Sequence, residues 1–200
     1  MAQESGVKKE VISSRGSQQK MSRNWVILIL RMLALGGTVS ATLVMALNKQ
    51  EKTFTLGTIG TTPITATVTA KFQHTPAFVF FVVVNSIGSL HNLLMLVGDL
   101  LVYKFDFRGL RLLTVTVLDM GTVALLSAGS GAAAFMAALG KNGNSHARWN
   151  KICDRFGTYC DHGAGALIAA FLGIVFLMMI NALSIIALYK KSTRQSVVSA

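Results

Sequence analysis

Proline is almost absent from this chain. The two that occur, Pro63 and Pro76, both lie outside the long apolar runs. Carriers built on broken helices interrupt their spans around a midplane site, usually within internal repeats, and uninterrupted runs argue against that design. Acidic residues are few, 8 against 19 Lys and Arg, and no paired carboxylates, Gly-rich phosphate loop or Ser or Cys nucleophile beside a partnered His can be picked out. The sequence therefore predicts no enzyme and no cofactor. His91 is the one histidine within an apolar run. Haem and metal sites in helical bundles need a second ligand at matching depth, so a hydrogen-bonded interior histidine is expected instead.

What is plentiful is apolar sequence. Hydrophobic residues make up 52% of the chain and the mean hydropathy is +0.55, whereas soluble domains hold about 45–50% apolar residues even with Gly counted. They fall in four blocks, 25–47, 77–102, 112–139 and 163–189. Each exceeds the roughly 20 residues that a helix needs to cross a hydrocarbon core about 30 Å thick. Backbone groups in lipid must bond one another, and continuous apolar runs exclude the alternating strands of a barrel. The predicted fold is all-α, a bundle of four transmembrane helices. The first block follows 24 largely polar residues without the short apolar core and small-residue cleavage site of a removable signal, so it is expected to stay as an anchor.

The net charge of +11 does not point to nucleic acid, because the basic residues sit in the connecting segments. Lys8, Lys9, Arg15, Lys20 and Arg23 precede the first block; Lys104, Arg108 and Arg111 join the second and third; Lys190, Lys191 and Arg194 follow the fourth. Those eleven share one side. The other side carries seven, Lys49, Lys52, Lys71, Lys141, Arg148, Lys151 and Arg155, over longer loops. The positive-inside rule predicts both termini in the cytosol. Residues 1–24, rich in Ser, Gln and Lys and without aromatics, read as a disordered cytosolic tail, and 190–200 as a second cytosolic tail.

The connection 103–111 is short, which makes the second and third helices antiparallel neighbours. The outer loops, 48–76 and 140–162, are longer. In the first of them Thr65, Thr67, Val68 and Thr69 nearly alternate, predicting a short strand or hairpin. Small residues crowd the last two helices, from Ser127 to Ala134 in one and at Gly163, Gly165, Ala169 and Gly173 in the other. Such faces let helices approach closely, and close packing drives association in lipid. They serve either contacts within the bundle or a face between protomers.

Charges inside a bilayer are expensive, about 2.5–3.5 kcal/mol each at a helix centre, so their positions carry information. Arg31 lies six residues into the first helix, about 9 Å deep, and Asp119 seven residues into the third, about 10 Å deep. Level with each other on two helices, they are predicted to form an intramembrane ion pair that relieves the penalty on both. Asn181, about 12 Å deep on the fourth helix, is a candidate polar support for the same cluster. A structural lock is the expected role; a proton or ion path through Arg31 and Asp119 is the competing one. Asp99, near the end of the second helix, is expected to reach interfacial water or Lys104, Arg108 and Arg111.

Cys153 and Cys160 both fall in the second outer loop, on the side expected to be oxidising, and predict a disulfide. The alternative is a zinc site with His146, Asp154, Asp161 and His162, which would favour closer cysteine spacing.

Several stretches together resemble the Casparian strip membrane domain-like family of plants, relatives of the animal MARVEL four-helix proteins. They are Arg31, the run 70–82 (AKFQHTPAFVFFV), Asp119, and Arg148-Trp149-Asn150-Lys151-Ile152-Cys153 with Phe156 and Cys160. The resemblance covers nearly the whole chain, and the family's hallmark intramembrane Arg and Asp fall on Arg31 and Asp119. It implies a MARVEL-like, multi-pass plasma-membrane scaffold. Such a scaffold forms homo-oligomers and hetero-oligomers with related members, builds membrane platforms, and organises cell-wall-modifying enzymes. Where the founding members carry a short aromatic signature, residues 52–60 here read KTFTLGTIG, which marks a like-protein of the broader family.

Overall fold

The computed structural model describes residues 2–59, 62–101 and 108–198. In chain order it contains helix α1 (Ala2–Leu47), strands β1 (Lys49–Ile59) and β2 (Thr62–Lys71), a single 3-10 turn (Phe72–His74), and helices α2 (Pro76–Leu101), α3 (Arg108–Asn142) and α4 (Gly157–Val198). Four stretches are long and apolar enough to cross a membrane: Trp25–Leu47, Pro76–Asp99, Leu112–Asn142 and Gly157–Thr193. Pro76 opens α2 at its first residue, where a missing N–H breaks no helical bond.

Several helices run past their apolar blocks. Residues 2–24, read above as a disordered tail, continue α1 as helix, and α4 carries on to Val198 through the segment read as a tail. An existing span supplies the nucleus, so each added residue needs only propagation, and neither extension contains a proline. At its other end α4 starts at Gly157, ahead of the apolar boundary at 163, which puts Cys160 in the helix and not in the loop. α3 begins at Arg108, inside the stretch read as a connection; Val102 and Lys104 lie outside the described residues.

Around the bundle the neighbours are α1–α2, α2–α3, α3–α4 and α4–α1, so α1 and α3 face each other across its diagonal. One core cluster, Ala41, Met45, Phe81, Ala133, Ala166, Leu167 and Ala170, sits toward the end that carries the hairpin. A second, Ala34, Val84, Leu126, Ile174, Leu177 and Ile180, sits nearer the α2–α3 end. Large apolar side chains such as Ile29, Leu43, Phe135 and Ile168 point outward, as expected where lipid is the solvent.

Small residues set the closest approaches. A Cβ on Gly37 would stand 2.8 Å from the Ala169 carbonyl oxygen and 3.1 Å from Gly173 Cα, and one on Gly129 would collide with Val84. The small-residue runs thus divide: Gly129, Ser130, Ala133, Gly163 and Gly173 turn inward, while Ser127, Ala128, Gly131 and Gly165 turn outward.

The predicted β-structure is a hairpin. β1 and β2 pair antiparallel from Lys49 opposite Lys71 to Ile59 opposite Thr62, with one irregularity between Thr55 and Gly57. The hairpin seats on the start of α4. Phe54 meets Phe156 edge-on at 6.2 Å with the Arg155 guanidinium over its ring at 5.5 Å. Gln50 Oε1 accepts from the Tyr159 amide at 2.9 Å, satisfying one of the free N–H groups of the first turn of α4. Asn48 Nδ2 donates to the Tyr159 carbonyl at 2.7 Å.

Candidate functional site

The charged groups of the interior gather at one level, between the second core cluster and the α2–α3 end. The Arg31 guanidinium donates from Nη2 to Asp119 Oδ2 at 2.9 Å and from Nη1 to Asp119 Oδ1 at 3.2 Å. That is the two-pronged geometry in which Arg matches a carboxylate best. Both residues are buried, at 2% and 0% exposure. Since α1 and α3 are diagonal partners, the bond runs straight through the bundle.

Two further groups join whose membership the sequence reading did not anticipate. His91 Nε2 lies 2.7 Å from Asp119 Oδ1, bringing in α2. Asp99 Oδ2 lies 3.9 Å from Arg31 Nε; its side chain is 47% exposed and reaches back toward the cation rather than only outward. The same depth count that levelled Arg31 with Asp119 puts His91, eleven residues inside the end of its apolar block, at about 16 Å. Depth along the helix alone does not place His91 with the pair.

Asn181 sits at this level without bonding the ion pair. With its amide turned to satisfy both ends, it donates to the Thr116 carbonyl at 3.1 Å and accepts from the Met120 amide at 3.2 Å. Its contact is with the α3 backbone on either side of Asp119. All four helices are thereby tied at one height. One step toward the hairpin end, Ser89 Oγ donates to Thr38 Oγ1 at 3.0 Å, adding a second polar link between α2 and α1. The Thr38 methyl packs where a Gly173 side chain would be, 3.3 Å from its Cβ position.

Cys153 and Cys160 are joined by a disulfide with Cα atoms 5.7 Å apart. The bond consumes both thiolates that the zinc alternative needs. Among the described residues no group of three or more His, Cys, Asp or Glu could hold a metal ion.

An all-α membrane bundle of four helices, with a buried Arg–Asp pair across its diagonal and a disulfide-pinned loop at one end, is the class these features define. The profile of the Casparian strip membrane protein domain matches residues 20–176, and the chain belongs to that family. It is 59% identical over 180 residues to the CASP-like protein 1B1 of Ricinus communis, covering 90% of this chain and 89% of the relative. Against the CASP-like protein 1B2 of Populus trichocarpa it is 57% identical over 198 residues, 99% and 98% of the two chains. The CASP-like protein 1B1 of Arabidopsis thaliana is 61% identical over 160 residues, 80% and 81% of the two. No solved structure matches.

Proposed function

We propose that this protein is a non-catalytic plasma-membrane scaffold, with both termini cytosolic, that associates with itself and with related family members into platforms and organises cell-wall-modifying enzymes. The observation that carries the reading is an outward face of α3 made of small residues. Gly121, Ala124, Ala128 and Gly131 are all exposed, and a Cβ on Gly121 or Gly131 would meet nothing within 4 Å. In lipid such a face gains most from another helix packed closely against it. The buried ion pair supplies rigidity: it fixes the rotation of α3 and with it the direction in which the small face points.

The test is lateral mobility. Gly131→Leu adds a side chain into open space, so the fold is expected to survive while protein–protein crosslinks diminish and fluorescence recovery after photobleaching quickens. A native protein that diffuses as a free monomer would sink the scaffold.

A second reading, passage of protons or ions, draws on the presence of His91 and the half-exposed Asp99 in the cluster, and on the buried Asn85 and Asn92 side-chain oxygens, which have no hydrogen-bond partner among the described residues. Flux in liposomes containing the purified protein, abolished by Asp119→Asn, would put this reading in place of the first.

A further inference from the structure

The loop between α3 and α4 is folded back onto the end of α3. Gly143, with φ +69°, terminates the helix by donating to the Leu139 carbonyl at 2.8 Å. Asn144 and Trp149 then exchange backbone hydrogen bonds, each 2.9 Å, and the Ile152 amide donates to the Gly140 carbonyl at 2.8 Å. Ile152 is therefore level with the last turn of α3, at the edge of its apolar span, and Trp149 lies just beyond. Both side chains nonetheless face outward, 52% and 56% exposed. The disulfide fastens the end of this fold-back to the first turn of α4.

Charge follows the same ledge. Lys141, Arg148 and Lys151 are exposed, and none of them forms an ion pair among the described residues. Arg155 is taken up by the Phe54 ring. Arg148 holds φ +54°, the one positive φ of a non-glycine residue among those described, a conformation that persists only where its surroundings impose it. An exposed aromatic and an aliphatic side chain beside three unpaired cations, at the rim of a membrane span, match the boundary between acyl chains and phosphates. At the opposite rim Trp25 and Tyr189 are similarly exposed, 61% and 72%.

We propose that residues 141–152 form a docking surface for an anionic phospholipid headgroup of the protein's own bilayer. Trp149 and Ile152 enter the acyl boundary and Lys141, Arg148 and Lys151 face the phosphate. The site depends on the membrane character of the chain and not on the scaffold reading.

The test uses the full chain carrying Trp25→Phe, which leaves Trp149 as the sole tryptophan, in nanodiscs of phosphatidylcholine with or without phosphatidylglycerol. Acyl chains brominated near the glycerol end are expected to remove most of the Trp149 emission. Native mass spectrometry is expected to show phosphatidylglycerol retained over phosphatidylcholine, with retention falling about fivefold for each of Lys141→Gln and Lys151→Gln. Unquenched, water-like Trp149 emission would overturn the proposal, as would equal retention of the two lipids. Displacement of the retained lipid by inorganic phosphate in detergent would assign the site to a free anion and overturn it as well.

Discussion

The two ends of this bundle are held by different physics. Toward the α2–α3 end, Arg31, His91 and Asp119 meet inside a hydrocarbon environment, where an ion pair is strong and an unpaired charge intolerable. Toward the hairpin end the interior is alanine and aromatic: Ala41, Ala133, Ala166 and Ala170 are wholly buried around Phe81, and the junction with water is stitched by Asn48, Gln50 and a disulfide. The first end specifies by charge which helices face each other, and the second by shape how closely they approach. Perturbing one end should leave a different signature from perturbing the other.

The largest effect is expected at the charged end. Asp119→Leu leaves Arg31 buried without its partner, at a cost of about 3–5 kcal/mol, read as lost expression in the membrane and a collapse of thermal stability in detergent. Removing both charges together, Arg31→Leu with Asp119→Leu, should be milder than either single change, and the exchange Arg31→Asp with Asp119→Arg should recover part of the loss. A double variant as damaged as the sum of the singles would contradict coupling between the two residues.

At the packed end the corresponding disruption is steric. Gly37→Val must push α1 away from the Ala169–Gly173 backbone, an overpacking of about 1–3 kcal/mol, visible as a lower Tm with the ion pair intact. Opening the disulfide with Cys153→Ser and Cys160→Ser should cost about 2 kcal/mol on the loop-entropy account. Faster hydrogen exchange would be confined to the hairpin and the α3–α4 loop; exchange that rises equally in α1 near Arg31 would show that the ends are not separable.

The smallest effect lies in the hairpin. Glu51 pairs with Lys49, and hydrogen bonding and charge from Lys49 hold its carboxyl below the usual value. A depressed carboxylate contributes above its unfolded pKa, and the contribution fades as pH falls through the folded one. Acidification should therefore loosen the base of the hairpin slightly. The Glu51 carbon chemical shift followed by NMR would report a normal titration if Lys49 has no influence.

The membrane character of the chain was legible because crossing a bilayer is a matter of length and composition, and both are printed in the sequence. Helix ends were less so. Hydropathy marks where lipid stops, whereas α1 and α4 continue into polar sequence that bonds its own backbone equally well. The small residues announced close packing, yet Gly129 faces Val84 and Gly131, two positions on, faces outward; which is which depends on helix rotation, set by all four partners at once. Counting depth along single helices put Arg31 level with Asp119, and the structure brings them together. It could not choose among the polar bonds open to Asn181, because those depend on angular position as well as height. Alternating threonines disclosed the β-structure but not the irregularity between Thr55 and Gly57.

Arg31 and Asp119 are separated by 88 positions, and this distance has a consequence for how the protein is made. At about 5–20 residues per second, a ribosome delivers the arginine roughly 4–18 s before the aspartate that neutralises it. For that interval the first helix carries its cation without the two-pronged carboxylate partner. Closure of the diagonal between the first and third helices therefore waits until the third has been translated.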